Sequence, residues 1–172
     1  MKPIIIALVG ASGSGKTTVS LHLHTECNIP AICSFTTRPM RDGEINGREH
    51  WFVDFGHPIP TTPLAYTFFG GHHYWTDLKQ VCNPLQTYVI DEIGLVELIE
   101  KWSDKFNIIF VYISRPNRSD IDKNRKDRDA GRIVLDPKKY NILLVNDGDL
   151  ESFIKTSTST IQNFINTHYG TI

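Results

Sequence analysis

Apolar residues fall in short runs separated by amphipathic stretches. Ile4–Val9 is an unbroken apolar run rich in isoleucine, which predicts a buried strand. Residues 16–26 follow with Val19, Leu21 and Leu23 and predict a helix. Residues 86–90 predict a second strand, ending at Asp91 and Glu92. In 95–102, Leu95, Leu98, Ile99 and Trp102 recur near helical spacing. Residues 107–113 and 141–145 predict two more strands, and 150–167 a closing helix. Residues 120–130 are very polar and read as a helix or a loop. Trp102, Phe106, Phe153 and Phe164 read as core packing. Strands alternating with helices predict an α/β fold, a parallel sheet flanked by helices.

Two stretches break this rhythm. Residues 33–77 are rich in Gly, Pro, Thr, His and aromatics, with strand-like pieces at 50–53 and 64–69. They read as a small β-rich insertion. Residues 115–132 carry seven cations, among them Arg115, Arg118, Arg125, Arg128 and Arg132, against four aspartates, and read as a short charged flap. The expected organisation is a core from 1–32, 78–114 and 133–172, an insertion at 33–77 and a lid at 115–132.

The chain has 172 residues, about one domain's worth. Its net charge of -1 argues against a general nucleic-acid or membrane binder, which needs a cationic excess. No apolar run is long enough to span a bilayer, and the start does not resemble a signal peptide. Cys27, Cys33 and Cys82 are odd in number and lack CxxC spacing, so disulfides and structural zinc are not expected. Cys33 reads as a neutral or buried thiol. A cytoplasmic monomer or homodimer is the expectation.

Gly10, Ala11, Ser12, Gly13, Ser14, Gly15, Lys16 and Thr17 fit GxxxxGK[ST], after a strand and at the start of a helix. Glycines let backbone N–H groups converge on an oxyanion, and the helix N-terminus adds partial positive charge. Lys16 can reach the β- and γ-phosphates, and the Thr17 hydroxyl can ligate Mg²⁺. Thr18 completes the ATP-binding set. Asp91, at a strand end, is a second candidate Mg²⁺ ligand, with a helix cap as the plain alternative. The expected cofactor is Mg²⁺ with ATP.

The segment Ser34-Phe35-Thr36-Thr37-Arg38-Pro39-Met40-Arg41-Asp42-Gly43-Glu44 resembles the hallmark S-x-T-T-R-x-x-R-x-G-E of the guanylate kinase family. Gly47 to Val53, Gly71 to Thr76 and Val145-Asn146-Asp147 resemble later family stretches, in the family's order. The resemblance implies transfer of the ATP γ-phosphoryl group to GMP or dGMP. It implies that Ser34, Arg38, Arg41 and Tyr74 hold the monophosphate; Thr37, Glu44, His50, Thr76, Asp91 and Glu92 complete the candidate monophosphate set, and Asn146 joins the ATP-binding one. Two arginines three apart can fork onto one dianionic phosphate, which agrees with the chemistry. Lys16, Arg38 and the lid arginines Arg125, Arg128 and Arg132 are the expected catalytic groups.

Several positions depart from the family pattern. His50 stands where the family has tyrosine. Trp75 replaces a glycine, a bulky change expected inside the site. Ala65 occupies the place of the guanine-reading glutamate, and Ile93 that of a second base-reading aspartate, for which Glu92 could substitute. A kinase for another nucleoside monophosphate is therefore one alternative. A non-catalytic guanylate-kinase-like interaction module is another, which the intact Gly15-Lys16-Thr17 argues against. A nucleotide switch or ATPase is a third, which the monophosphate clamp disfavours.

Overall fold

The computed structural model of the chain describes residues 2–117, 119, 123, 129, 130, 132, 133 and 135–170. Strands β1 (Ile4–Val9), β2 (Ala31–Ile32), β7 (Leu85–Val89), β8 (Asn107–Ser114) and β9 (Ile142–Val145) make up its main sheet. All five run parallel, in the order β2-β7-β1-β8-β9. Helices α1 (Lys16–Cys27), α2 (Glu92–Trp102) and α3 (Leu150–Tyr169) flank this sheet. The expected parallel sheet flanked by helices is the architecture found.

The alternation of side chains along β1 divides the core in two. Ile4, Ile6 and Leu8 join a cluster with Val19 and Leu23 of α1 and Phe153, Ile161 and Ile165 of α3. Ile5, Ala7 and Val9 face the other way, onto Leu95, Leu98 and Trp102 of α2. A strand's side chains point to opposite faces with period two, so a run that is apolar at every position must be covered twice. In α3, Phe153, Ser157, Ile161 and Ile165 recur every four residues and form its buried stripe. Burial of this stripe makes a helix of a segment rich in Ser, Thr and Asn, which have only modest helix propensity.

Strands β3 (Phe35–Thr36), β4 (Trp51–Phe52), β5 (Ala65–Phe69) and β6 (His72–Thr76) form a second sheet, ordered β4-β3-β6-β5. β5 and β6 make an antiparallel hairpin with Phe69 opposite His72. Gly70 and Gly71 both have positive φ, at 59° and 81°, the conformation a two-residue hairpin turn needs. Tyr74 of β6 faces the cleft between the two sheets, so its neighbour Trp75 must face away. Trp75 is 2% exposed and stacks on Phe35 at 5.5 Å. This corrects the expectation that its bulk intrudes on the site. No helix of the described residues is long and apolar enough to cross a membrane.

Ile109 is fully buried in the middle of β8. Ile109→Ala should lower unfolding free energy by about 2–5 kcal/mol, the usual cost of such a core cavity, read by urea denaturation.

Candidate active site

The carboxyl ends of β1 and β7 open into a cleft of about 450 Å³, walled on its far side by the second sheet. Gly10 leaves β1 with φ 151°, and a Cβ there would stand 2.3 Å from the Ile113 carbonyl oxygen. Only glycine allows the loop to turn so close to β8. Gly15 caps α1 without a side-chain hydrogen bond, and the helix's first turn carries no acidic residue. The N-terminus of α1 thus meets the cleft with its partial positive charge undiminished by a carboxylate of its own first turn. Lys16 Nζ donates to the carbonyls of Gly10 (2.6 Å) and Ala11 (2.8 Å), and Thr17 and Thr18 line the cleft beside it.

Other groups hold the loop from behind and above. Asn146 Nδ2 donates to the Ser14 carbonyl at 2.9 Å, so Asn146 supports the loop and is not among the cleft-lining residues. Ser14 is fully buried, and Ala11 is likewise outside the lining. Ser12 donates from its backbone N–H (3.0 Å) and hydroxyl (2.9 Å) to Asp129. Arg132 makes a forked ion pair with Glu92, with nitrogen–oxygen distances of 2.6 and 3.1 Å, and donates to the Gly10 carbonyl. Arg132 is therefore brought to the loop, whereas Arg125 and Arg128 lie outside the described residues.

On the far wall, both terminal nitrogens of Arg38 donate to the Glu44 carboxylate at 2.9 Å. Glu44 also accepts from the Arg41 backbone N–H at 2.8 Å. Arg38 is 7% exposed and lies over the Phe52 ring. Burial would raise the Glu44 pKa, but the Arg38 hydrogen bonds, the Arg41 N–H and the two guanidiniums outweigh it and hold the carboxyl below its ordinary value. Ser34 Oγ pairs with His50 Nδ1 at 2.8 Å. Ser34, Arg38, Arg41, Glu44, His50 and Tyr74 all line the cleft. Thr37 and Thr76 do not: Thr37 Oγ1 accepts from the His73 N–H, and Thr76 is hydrogen-bonded to the Tyr88 hydroxyl. Beside Ser34, the Cys33 thiol is pushed up to about 11 by burial and then by Glu49, and stays neutral.

Between these two ends lie Ala65, Thr67 and Asp91. Asp91 Oδ1 caps α2 by accepting from Gly94 N–H (2.7 Å) and also accepts from Thr67 Oγ1 (3.1 Å). Burial raises its pKa, against the lowering effect of both donors. Thr67 belongs to no motif that the sequence displays. Its only signal is the alternation along β5, which sets the residue two beyond Ala65 on the same face. Asp129 also escapes sequence reasoning, because a carboxylate in a charged segment has no local signature.

A family model described as guanylate kinase matches residues 1–163. The chain belongs to the guanylate kinase family. It is 32% identical over 137 residues to a guanylate kinase of Nitrobacter winogradskyi, covering 73% of this chain and 61% of that one. It is 28% identical over 169 residues to the Clostridium tetani guanylate kinase, covering 85% and 79%. In the first of these pairings, then, the chain spans less than two thirds of its relative. The crystal structure of guanylate kinase from Anaplasma phagocytophilum superposes with a TM-score of 0.63 at 18% identity, over 99% of this chain and 97% of that one, a likeness of fold.

A carboxyl held below its ordinary pKa contributes stability above that ordinary value and loses it as pH falls through the lowered one. Glu44→Gln should therefore destabilise the protein at pH 7. The difference from wild type should shrink in acid, below the usual carboxylate range, in denaturation curves recorded across pH.

Proposed function

We propose that the chain transfers the γ-phosphoryl group of ATP to GMP or dGMP. The observation that carries this reading is the sharing of one cleft by the Lys16 loop and the Ser34, Arg38, Arg41 and Tyr74 wall. In this reading the loop from Gly10 to Thr17, with Thr18, holds the ATP phosphates at the N-terminus of α1. Ala11, Ser14 and Asn146 act by shaping the loop. Arg38 and Arg41 take the monophosphate, with Ser34, His50 and Tyr74 as further donors, while Glu44 orients both arginines. Thr37 and Thr76 fix the strands that carry them. Lys16 and Arg132, with Arg125 and Arg128 of the lid, balance charge on the transferred group. The attacking oxygen is already anionic, so alignment, charge balance and exclusion of water suffice.

Thr17 fits the role of Mg²⁺ ligand: it lines the cleft beside Lys16, and Mg²⁺ bound to ATP takes only one or two protein ligands. Bound there, the ion would offset charge on the β- and γ-phosphates. Asp91 suits the base better than the metal. Its Oδ1 is committed to the α2 cap and to Thr67, two residues along β5 from Ala65. A carboxylate at this place can accept from the guanine N1 and N2 hydrogens that the Ala65 methyl cannot serve. Glu92 is occupied by Arg132 and orients that arginine. The segments 33–77 and 115–132 then act as the monophosphate-binding insertion and the lid on the core. The unbridged cysteines suit a reducing compartment, and we take the cytoplasm as its setting.

Ala65 is the observation that favours a second reading, a kinase for another base. A coupled ADP-release assay with ATP and Mg²⁺ across GMP, dGMP, AMP, CMP, UMP and dTMP separates the two. Turnover confined to GMP and dGMP is expected, and turnover confined to another base would overturn the guanine assignment. Lys16→Ala and Arg38→Ala should each cut transfer by about 10²-fold or more with circular dichroism preserved, and wild-type-like turnover in either would refute these roles. Asp91→Asn should raise the KM for GMP roughly tenfold without changing the Mg²⁺ dependence. The reverse pattern would return Asp91 to the metal.

A further inference from the structure

His50 is the one imidazole among the described residues that line the cleft. Its Nδ1 is 2.8 Å from Ser34 Oγ, and its ring meets Phe52 of β4 and Tyr74 of β6 edge-on at 5.7 and 5.8 Å. The charged groups that act on it are Arg38, Arg41, Glu44 and Glu49. Glu49 opposes the guanidiniums although it is itself paired with Arg48 at 2.6 Å. Two guanidiniums thus stand against two carboxylates, and burial is what tips the ring to its neutral form. Burial, followed by Arg38, holds the imidazole down to about 4, with Arg41 adding to the effect and the two glutamates opposing it.

A phosphate dianion placed on Arg38 and Arg41 makes that surrounding net negative. Two cations then face four negative charges, from Glu44, Glu49 and the phosphate together, close to an imidazole. An opposite charge at short range favours the protonated ring. We propose that His50 is a proton-coupled reader of the substrate phosphate, taking one proton from solvent as the monophosphate docks and holding it as a cation. The inference rests on the monophosphate reading of this wall and adds a linkage that an unionised hydroxyl donor would not have. The complex then holds more protons than its separate parts, so raising pH through the bound-state pKa of His50 weakens binding.

Calorimetric titration of GMP into the full chain at about pH 6, in buffers of different ionisation enthalpy, counts the protons taken up. His50→Gln and His50→Tyr are measured beside the wild type, and ionisation of GMP itself is common to all three. The expected result is about one more proton per GMP in wild type than in either variant, with the wild-type affinity advantage falling by up to about tenfold per pH unit as pH rises. In wild-type protein labelled at histidine carbons, the His50 ring signal should titrate well above about 4 once GMP is bound. That measurement decides the matter even where a variant fails to fold. Equal proton counts, or a His50 signal unmoved by GMP, would overturn the inference and leave the GMP site standing. Wild type that does not bind GMP would overturn the substrate reading itself.

Discussion

The carboxyl end of β1 constrains everything else at the site. β1 is hydrogen-bonded to β7 on one side and β8 on the other and is covered on both faces. A strand so enclosed cannot shift without breaking two ladders and two cores. Gly10 therefore leaves the sheet at one place, hard against the Ile113 carbonyl, and the loop after it delivers Lys16 and the N-terminus of α1 to the cleft. β7 ends alongside, which is why Asp91 and Glu92 stand across from that loop.

The second constraint is charge. The cleft gathers cations and backbone N–H groups that repel one another or remain poorly solvated when brought together. The structure balances them with its own carboxylates. Glu44 takes both nitrogens of Arg38, Glu92 takes Arg132, and Asp129 takes the donors of Ser12. Each carboxylate holds its partner in a defined direction, a form of preorganisation. Burial, aided by Arg38 and Arg41 and opposed by Glu44 and Glu49, keeps His50 neutral at physiological pH among the protein's own groups.

The departures from the family pattern have unequal consequences. Trp75 is accommodated by packing against Phe35 and His57 on the far side of its strand, so its bulk does not reach the cleft. Ala65 and His50 both line the cleft, one presenting a methyl group and the other an imidazole.

The sequence by itself determined four of the five strands of the main sheet and the helices beside them, because their signals are local. An apolar run covered on both faces, helical spacing in α2 and a glycine-rich turn before Lys16 are all readable within a few residues. The motif spacing likewise marked Lys16, Thr17, Arg38 and Arg41. Tertiary structure alone decided the rest. The two-residue strands β2 and β3 are too short to carry a period and exist only through their pairing partners. That Asp91 caps α2 and also accepts from Thr67 depends on elements that only the fold brings together. The pairing of Asp129 with Ser12 and of Arg132 with Glu92 joins residues far apart in the chain. Which side of a strand faces the cleft is set by the register of the sheet, and that register put Tyr74 in the site and Trp75 out of it.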